Sequence, residues 1–244
     1  EGTNEILTAN RNSLQLFDML HSMRQFDDLT YVHSVNVALI ASILGQWLKF
    51  SEKDIRILTI SGLLHDIGKI MIPNEILTKP GKLTVAEYNI MKQHVNFGYE
   101  KVKNQNIDIR IKEACLLHHE KCDGTGYPFG LKSDHIPAVA KIIAIADVYD
   151  AMTSARVYRG ALCPFEVIDT MYKDAFTKFE PEYILPFLKN VASSYINNDV
   201  RLSDGRIGKV VLINENALSL PIVQCEDEFI DLSKTRGLTV SAIL

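Results

Sequence analysis

An imidazole and a carboxylate stand side by side at His65 and Asp66, at the end of the apolar run from Ser61 to Leu64. Lys69 follows three and four residues later, which places it on the same face if the run is helical. A buried carboxylate without a partner is costly, and a divalent cation is one of few partners that satisfies both side chains together. The pair alone could also be a core histidine that is salt-bridged to its neighbour.

The remaining histidines favour the metal site over that simpler interpretation. Five of the seven histidines lie within or beside apolar segments of helical pattern, and an aspartate joins them in a further such segment. Surface histidines would be scattered without regard to such a pattern. The candidate ligands are His33, His65, Asp66, His94, His118, His119 and Asp147.

The four cysteines, at positions 115, 122, 163 and 225, form no disulfide framework and are expected to be reduced thiols. Cys115 and Cys122 flank His118 and His119, a spacing that could also form a small structural zinc site. Zinc sites of this kind usually have two paired ligand clusters with a longer spacer between them. We therefore favour the larger histidine and aspartate set.

The bulk composition limits the class of protein. A chain of 244 residues with 47% apolar content can bury one good core and a small second unit. Its net charge of −4 argues against a nucleic-acid polymer as partner, which would need a basic surface. No uninterrupted apolar run approaches the roughly 18 residues of a membrane span, and residues 1–5 lack the start of a signal peptide. We expect a cytoplasmic chain without a membrane span.

The pattern of apolar residues predicts helices over most of the chain. Residues 5–26 predict a lead-in helix, and Asp27 or Asp28 caps a long helix that ends near Leu48. The predicted apolar stripe of this long helix is Val32, Val35, Leu39 and Ile43.

Further helix starts follow from capping patterns and prolines. Capping boxes open helices at Ser51 and Thr84, so that His65 and Asp66 come late in a well-started helix. Residues 108–119 and 137–153 predict two more helices, and two others begin at Pro164 and Pro181. The loop from Asp123 to Gly130 is rich in glycine but follows no strand, so it is not a dinucleotide-binding turn.

The pattern changes from helical to alternating near residue 199, which predicts short strands. The predicted fold class is therefore all-α, a helical bundle with a small C-terminal β appendage. The predicted organisation is a lead-in helix at 1–27, a helical domain at 28–198 and a β subdomain at 199–244.

These motifs, taken together and in this order, resemble the HD-GYP family, a branch of the HD-domain metal-dependent phosphohydrolases. The resemblance covers about residues 28–190. Its residues are His33; His65-Asp66-Ile67-Gly68-Lys69; Lys79-Pro80-Gly81-Lys82-Leu83-Thr84; Met91-Lys92-Gln93-His94; His118-His119-Glu120; Asp123-Gly124 with Gly126-Tyr127-Pro128; and the run from Asp147 to Arg159. It implies an all-α HD-domain bundle with a binuclear metal centre. It also implies a phosphodiesterase that hydrolyses cyclic di-GMP to pGpG or GMP, by attack of a metal-activated hydroxide on phosphorus.

The resemblance also implies a division of the ligands between two metals, with Asp66 as the bridge. One metal would be held by His33, His65, Asp66 and Asp147, and the other by Asp66, His94, His118 and His119. Some family members have a glutamate four residues before the first histidine and bind a third metal; Leu29 stands there, which favours two. A nitrogen-rich shell without thiolates suits iron or manganese, with zinc or nickel as alternatives, better than magnesium or calcium.

Substrate contacts are implied in the same way. Lys69, Arg156 and Arg159 would contact phosphates, with Asp66 and Lys69 as the catalytic pair. Each has a simpler interpretation, since Lys69 could be an exposed helix-end lysine and the arginines could form surface salt bridges with Asp150 or Glu166.

The loop of Gly126, Tyr127 and Pro128 would lie beside the substrate and would contact diguanylate cyclase domains. Tyr127 could stack on a guanine or pack on the bundle. Asp150 and Glu120 are expected to orient ligand imidazoles. His21 and His135 match no motif and are expected at the surface.

Two other functions remain open at this point. One is an HD hydrolase of another cyclic nucleotide. The other is a weakly active signalling adaptor that binds diguanylate cyclase domains through the loop. The complete ligand set argues against the adaptor, because a protein without turnover has no need of seven intact ligands.

Overall fold

The computed structural model describes residues 18–154 and 162–244. The chain divides into two compact units, with the boundary between Asp150 and Ala151. The predicted limits at 28, 198 and 199 stay a prediction, since this grouping places the last two helices with the strands.

The first unit is helical. Residues 18–26 form a helix, and the elements that follow are α1 (Asp28–Trp47), α2 (Glu52–Leu64), a 3-10 segment (Ile67–Met71), α3 (Asn74–Leu77), α4 (Val85–Met91), α5 (His94–Val102), α6 (Ile109–Leu117), a 3-10 turn (Ser133–His135) and α7 (Ala138–Thr153). The predicted all-α fold class is confirmed for this unit.

Side-chain caps begin the helices where the sequence predicts them. The Asp27 carboxylate accepts hydrogen bonds from the backbone N–H groups of Leu29 and Thr30, which fixes the start of α1. Ser51 caps α2 by accepting from the Asp54 N–H. At α4 the capping box is complete, because Glu87 also accepts from the Thr84 N–H at 2.7 Å.

The buried face of α1 differs from the predicted one. Val32, Leu39 and Ile43 are exposed by 53%, 57% and 42%, whereas Ala38 and Ala41 on the opposite side are buried. Helix α1 is apolar on nearly all sides, so hydrophobic periodicity could not predict which side is buried. The side of α1 with the smaller side chains is buried because it allows α2 to approach closely. A Cβ on Gly62 of α2 would lie 2.5 Å from the Cα of Ala38.

A second close approach brings α5 to the segment after Asp66. A Cβ on Gly68 would lie 1.9 Å from the backbone oxygen of His94 and 2.4 Å from the nitrogen of Gly98. Only glycine permits this contact, which places the start of α5 directly beside His65 and Asp66. The two glycine contacts therefore determine how near the histidines of α1 and α5 come to Asp66.

Helix α1 also bears on the prediction that the chain has no membrane span. Among the described helices, α1 is the one that is long and apolar enough to cross a bilayer by length and composition. The core helix of a water-soluble domain passes the same test, and α1 buries the polar side chains of Thr30 and Ser34 against protein. The predicted cytoplasmic location stays a prediction.

Over residues 162–244, the second unit contains two α-helices, a short 3-10 turn (Leu232–Lys234) and an antiparallel sheet. Helices α8 (Pro164–Asp174) and α9 (Pro181–Ser194) begin with proline, as predicted. The strands are β1 (Asp199–Leu202), β2 (Ile207–Leu212), β3 (Ile222–Cys225), β4 (Glu228–Asp231) and β5 (Val240–Ile243), in the order β4-β3-β2-β1-β5. The C-terminal β appendage is thus confirmed, and its last strand begins two residues later than the pattern predicts.

Candidate metal centre

Asp66 lies at the change from α2 to a tighter 3-10 segment. Helix α2 ends at Leu64, and His65 and Asp66 follow before Ile67 begins the next turns. Both side chains are buried, with exposures of 0% and 1%. The sequence therefore places a carboxylate in the interior, where it needs a cationic partner.

The two carboxylate oxygens of Asp66 face two different groups of imidazoles. Oδ1 lies 3.3 Å from Nε2 of His94 and 3.9 Å from Nε2 of His118. Oδ2 lies 3.3 Å from Nε2 of His65 and 3.7 Å from Nε2 of His33. His119 completes the first group, and the potential ligand atoms within each group all lie within 4.8 Å of one another.

Each of four rings is held through its Nδ1 atom. The Nδ1 atoms of His65, His94 and His118 lie 2.8, 2.8 and 2.9 Å from the backbone oxygens of Gly62, Met91 and Ala114. The Nδ1 atom of His33 lies 2.6 Å from Oδ2 of Asp150. Because these oxygens only accept, Nδ1 carries the proton and Nε2 of a neutral ring carries a lone pair.

Two acidic side chains hold His33. Besides its contact with Asp150, its Nε2 atom lies 3.0 Å from Oδ1 of Asp147. Burial alone would lower the pKa of His33, but the hydrogen bonds to Asp147 and Asp150 raise it to about 9. Asn36, one turn along α1, donates its amide to the other oxygen of Asp150 and fixes that carboxylate. The predicted orienting role of Asp150 is confirmed for the His33 ring.

The arrangement leaves lone pairs facing one another in the interior. The Nε2 atoms of His94 and His118 are 3.4 Å apart. Burial lowers the pKa of both rings, so neither is an imidazolium that could donate to the other. Nε2 of His65 and Oδ1 of Asp66 are also buried, and neither has a hydrogen bond to any described residue. Buried acceptors that converge without a donor fit a bound cation.

The Lys69 ammonium lies on the Oδ2 side of Asp66, at 2.5 Å. Burial would raise the pKa of Asp66, but Lys69 and His65 hold it well below its usual range. Asp66 is therefore ionised, and its charge is balanced on one side by Lys69 and faced on the other by neutral imidazoles. The structure thus brings Lys69 to the cluster, one helical turn from Asp66 as the sequence predicts.

The loop after His119 folds back over the cluster. The ring of Tyr127 stacks on that of His119 with 4.7 Å between centroids, and the Tyr127 N–H donates to the His119 oxygen. Between them, a Cβ on Gly126 would lie 2.4 Å from the backbone nitrogen of Lys121. Of the two predicted positions for Tyr127, the structure shows packing on the bundle. The peptide bond to Pro128 is cis.

Glu120 has a different role from the predicted one. Its buried carboxylate accepts from the backbone N–H groups of Phe129 and Leu131, at 2.7 and 2.9 Å. It therefore closes the loop rather than orienting an imidazole. A glutamate next to two candidate ligands gave no sequence signal for this contact, which joins residues nine and eleven positions apart.

The structure does not support a structural zinc site with Cys115 and Cys122 as ligands. The Cys115 thiol is buried and donates to the backbone oxygen of Leu64 at 3.3 Å, and burial raises its pKa to about 12. Among the described residues, neither group of converging potential ligand atoms includes Cys115 or Cys122. His21 and His135 are exposed, as predicted. Arg156 and Arg159 lie outside the described residues.

Three residues near the centre were not selected from the sequence. Asn36 holds Asp150, and its spacing of three from His33 could have indicated a shared face. Tyr88 and Lys92 lie beside Tyr127: the Lys92 ammonium is 5.3 Å from the Tyr88 ring centroid and 5.9 Å from that of Tyr127. The i, i+4 spacing of Tyr88 and Lys92 was visible, but the loop that brings Tyr127 to them was not.

Comparison with known proteins identifies the family of the chain. The family model of the HD domain matches residues 11–183. The chain belongs to the HD domain family. The resemblance to HD-GYP proteins predicted from the motifs is confirmed by this match and by curated relatives that are named as cyclic di-GMP phosphodiesterases.

One relative is a cyclic di-GMP phosphodiesterase of Pseudomonas aeruginosa, 36% identical over 203 residues that cover 83% of this chain and 49% of that protein. Another is a 3'3'-cGAMP-specific phosphodiesterase of Vibrio cholerae, 32% identical over 75% of this chain and 36% of that protein. The chain thus spans half or less of the length of these relatives.

Among solved structures, the HD domain of the Listeria monocytogenes phosphodiesterase PgpH, in complex with cyclic-di-AMP, matches with a TM-score of 0.56. It is 18% identical, and the match covers 72% of this chain and 95% of that one. At this identity the match supports the HD fold of the chain and nothing more specific.

Proposed function

We propose that this chain is a metal-dependent phosphodiesterase that hydrolyses cyclic di-GMP to linear pGpG, and to GMP after a second cut. The observation that carries the proposal is the carboxylate of Asp66, whose two oxygens face two separate groups of imidazoles. The cyclic di-GMP phosphodiesterase among its relatives supports the choice of substrate.

Two divalent ions are proposed at the centre, bridged by Asp66. His33, His65 and Asp147 would hold one, and His94, His118 and His119 the other. When bound, such ions would supply positive charge for phosphate oxygens and a nucleophile near neutral pH for in-line displacement at phosphorus. Iron or manganese fits this nitrogen-rich shell, with zinc or nickel as alternatives.

The protein's own groups prepare the centre before substrate arrives. The oxygens that bind Nδ1 of His65, His94 and His118 fix the tautomer and direct each Nε2 lone pair toward Asp66. Their lowered pKa values keep His94 and His118 neutral at pH 7, as ligands must be. No rearrangement of these side chains is then needed for binding.

The positive side chains are proposed to hold the substrate. Lys69 is 20% exposed and lies against Asp66, so its ammonium is within reach of a phosphate at the centre. Arg156 and Arg159 are proposed to fork onto phosphate oxygens, and the loop of Gly126, Tyr127 and Pro128 to border the substrate. A contact of this loop with diguanylate cyclase domains stays a prediction; Phe129, 63% exposed, is the side chain that it would bury.

A second candidate substrate is 3'3'-cGAMP, because a phosphodiesterase specific for it is also a relative. Both substrates contain the same 3',5'-phosphodiester, so the centre described here cannot distinguish them. The choice depends on the contacts to the bases.

The test is hydrolysis by the purified chain, loaded anaerobically with Fe(II) or Mn(II). We expect conversion of cyclic di-GMP to pGpG or GMP, measured by chromatography of the products. 3'3'-cGAMP and cyclic di-AMP are assayed in parallel as alternative substrates. Asp66→Ala and the isosteric Asp66→Asn should lose at least ~100-fold in rate, since loss of an outer partner alone costs ~10–100-fold. Asp199→Ala, at an exposed position of β1, is the matched control. Turnover that survives both Asp66 substitutions would refute the mechanism.

A further inference from the structure

Helix α4 is unusual because it buries none of its side chains. Most helices of a domain are held by an apolar face in the core. Helix α4 is held instead at its first turn, by the capping box of Thr84 and Glu87 and by the ion pair of Glu87 with Lys79 at 2.7 Å. An element that is fixed in place without contributing to the core is free to serve a surface function.

The side of α4 and its C-terminal residue that approaches the metal centre carries Tyr88 and Lys92. The Lys92 ammonium lies between the rings of Tyr88 and Tyr127, 5.3 and 5.9 Å from their centroids. Tyr127 in turn stacks on His119, a candidate ligand. The Lys92 ammonium is therefore connected to the cluster through Tyr127 and His119, whereas Lys69 contacts the cluster at Asp66.

The charge of Lys92 has no carboxylate partner among the described residues. Two other lysines of this unit, Lys69 and Lys79, have carboxylate partners in Asp66 and Glu87. The two aromatic rings attract this half-buried ammonium but, unlike a carboxylate, carry no negative charge that would balance it. Such a fixed and unneutralised cation beside a metal pocket is suited to an anion.

We propose that Lys92, held by Tyr88 and Tyr127, forms a second phosphate subsite that binds the uncleaved phosphate of a cyclic dinucleotide. This inference rests on the proposed function. A cyclic dinucleotide has two phosphodiesters on opposite sides of its ring, so a substrate with one phosphate at the metals presents the other away from them. Lys69 serves the phosphate at the centre, and Lys92 serves the other phosphate.

A contact to the uncleaved phosphate changes binding rather than chemistry. It is made equally in the bound substrate and in the transition state, so its loss raises KM and leaves kcat unchanged. It also has no preference for the base, since every cyclic dinucleotide has the same two phosphates. A contact to a base would instead change the ratio between substrates.

The experiment compares Lys92→Gln with the wild type in the manganese-loaded chain. We expect KM to rise about tenfold for cyclic di-GMP and by the same factor for any other cyclic dinucleotide that the wild type cleaves, with kcat retained. Bis(p-nitrophenyl) phosphate has a single phosphate, so its hydrolysis should be unchanged. Lys92→Arg should keep most of the affinity, and Lys101→Gln, at an exposed position of α5, is the charge-matched control.

Several results would overturn the subsite. An unchanged KM for cyclic dinucleotides in Lys92→Gln would exclude the contact, and a change limited to one base would assign Lys92 to base recognition. An equal loss with bis(p-nitrophenyl) phosphate would place the effect in the metal centre. A wild type that cleaves this simple ester but neither binds nor cleaves any cyclic dinucleotide would overturn the proposed function together with the subsite.

Discussion

The two units of the chain differ in the polar content of their interiors. The sheet of the second unit alternates exposed and buried positions, and its inward side chains are apolar, as at Val200, Val210 and Val223. The interior of the first unit contains, beside its apolar core, a charged carboxylate and imidazoles, and Nε2 of His65 and Oδ1 of Asp66 have no hydrogen bond to any described residue. The apolar interior is stable without an additional group. The polar cluster contains buried acceptors that converge without a donor, which fits a bound cation.

This difference predicts that divalent metal stabilises the first interior and not the second. At a free Mn(II) concentration of 100 times the Kd, the free energy of unfolding should rise by ~2.7 kcal/mol. For a chain of this size, this corresponds to a rise in Tm of several degrees, reversed by a chelator. Differential scanning fluorimetry measures it.

A matched pair of variants separates the two interiors. Val200→Ala should lower the Tm of the sheet but preserve the metal-induced shift, whereas Asp66→Asn should abolish the shift. A metal-induced shift that is equal in Asp66→Asn and wild type would contradict the contrast.

A smaller effect on metal binding is expected for side chains that hold the candidate ligands in place. Asp150→Asn removes the negative charge that holds Nδ1 of His33 but keeps an acceptor of the same shape. Metal affinity should fall ~10-fold, because such outer partners orient the ring and raise its basicity. Competition with a fluorescent chelator measures the Kd, and Asp134→Asn at an exposed position is the control. Equal metal affinities for the two variants would contradict a role of Asp150 in metal binding.

The smallest effect concerns acidification of the metal-free chain. The pKa values of His94 and His118 are lowered by burial, so these rings stay neutral in the folded state while they take up protons near pH 6.5 when unfolded. Their contribution to stability is therefore present above this pH and is lost as the pH falls. Each imidazole contributes ~1 kcal/mol to this loss between pH 7.5 and 5.5.

His33 acts in the opposite sense. Its pKa is raised to about 9, so its stabilisation is complete below pH 6.5 and is lost as the pH rises toward 9. The stability that His33 gains on acidification offsets the loss from about one of the other histidines. Burial lowers the pKa of His119 to about 3, so His119 adds to the loss of stability on acidification. The net expectation is a loss on the order of 1 kcal/mol or more by urea unfolding at the two pH values. A metal-free chain that is more stable at pH 5.5 would contradict the assigned protonation states.

The sequence predicted the elements whose signals are local. Asp27, Ser51 and Thr84 begin helices because a side-chain oxygen accepts from backbone groups two or three residues away, and this spacing is visible in the chain. The candidate ligands could be selected for a related reason: imidazoles and acids within apolar helical segments are conspicuous wherever they occur.

What the sequence did not predict depends on contacts between distant elements. The buried side of α1 was decided by how closely Gly62 approaches Ala38, since both sides of α1 are apolar. The roles of Glu120 and Lys92 depend on where the loop around Tyr127 folds back. Neither can be inferred from periodicity, because periodicity describes one element at a time.

The central claim is that the two groups of imidazoles around Asp66 hold divalent ions. Anomalous diffraction from crystals of the manganese-loaded chain tests it most directly. The account predicts two anomalous peaks, one on the Oδ1 side of Asp66 near His94 and His118, the other on the Oδ2 side near His33 and His65. Crystals that show no peak at either position, with Nε2 of His94 and His118 still facing each other and Lys69 as the sole cation on Asp66, would contradict it.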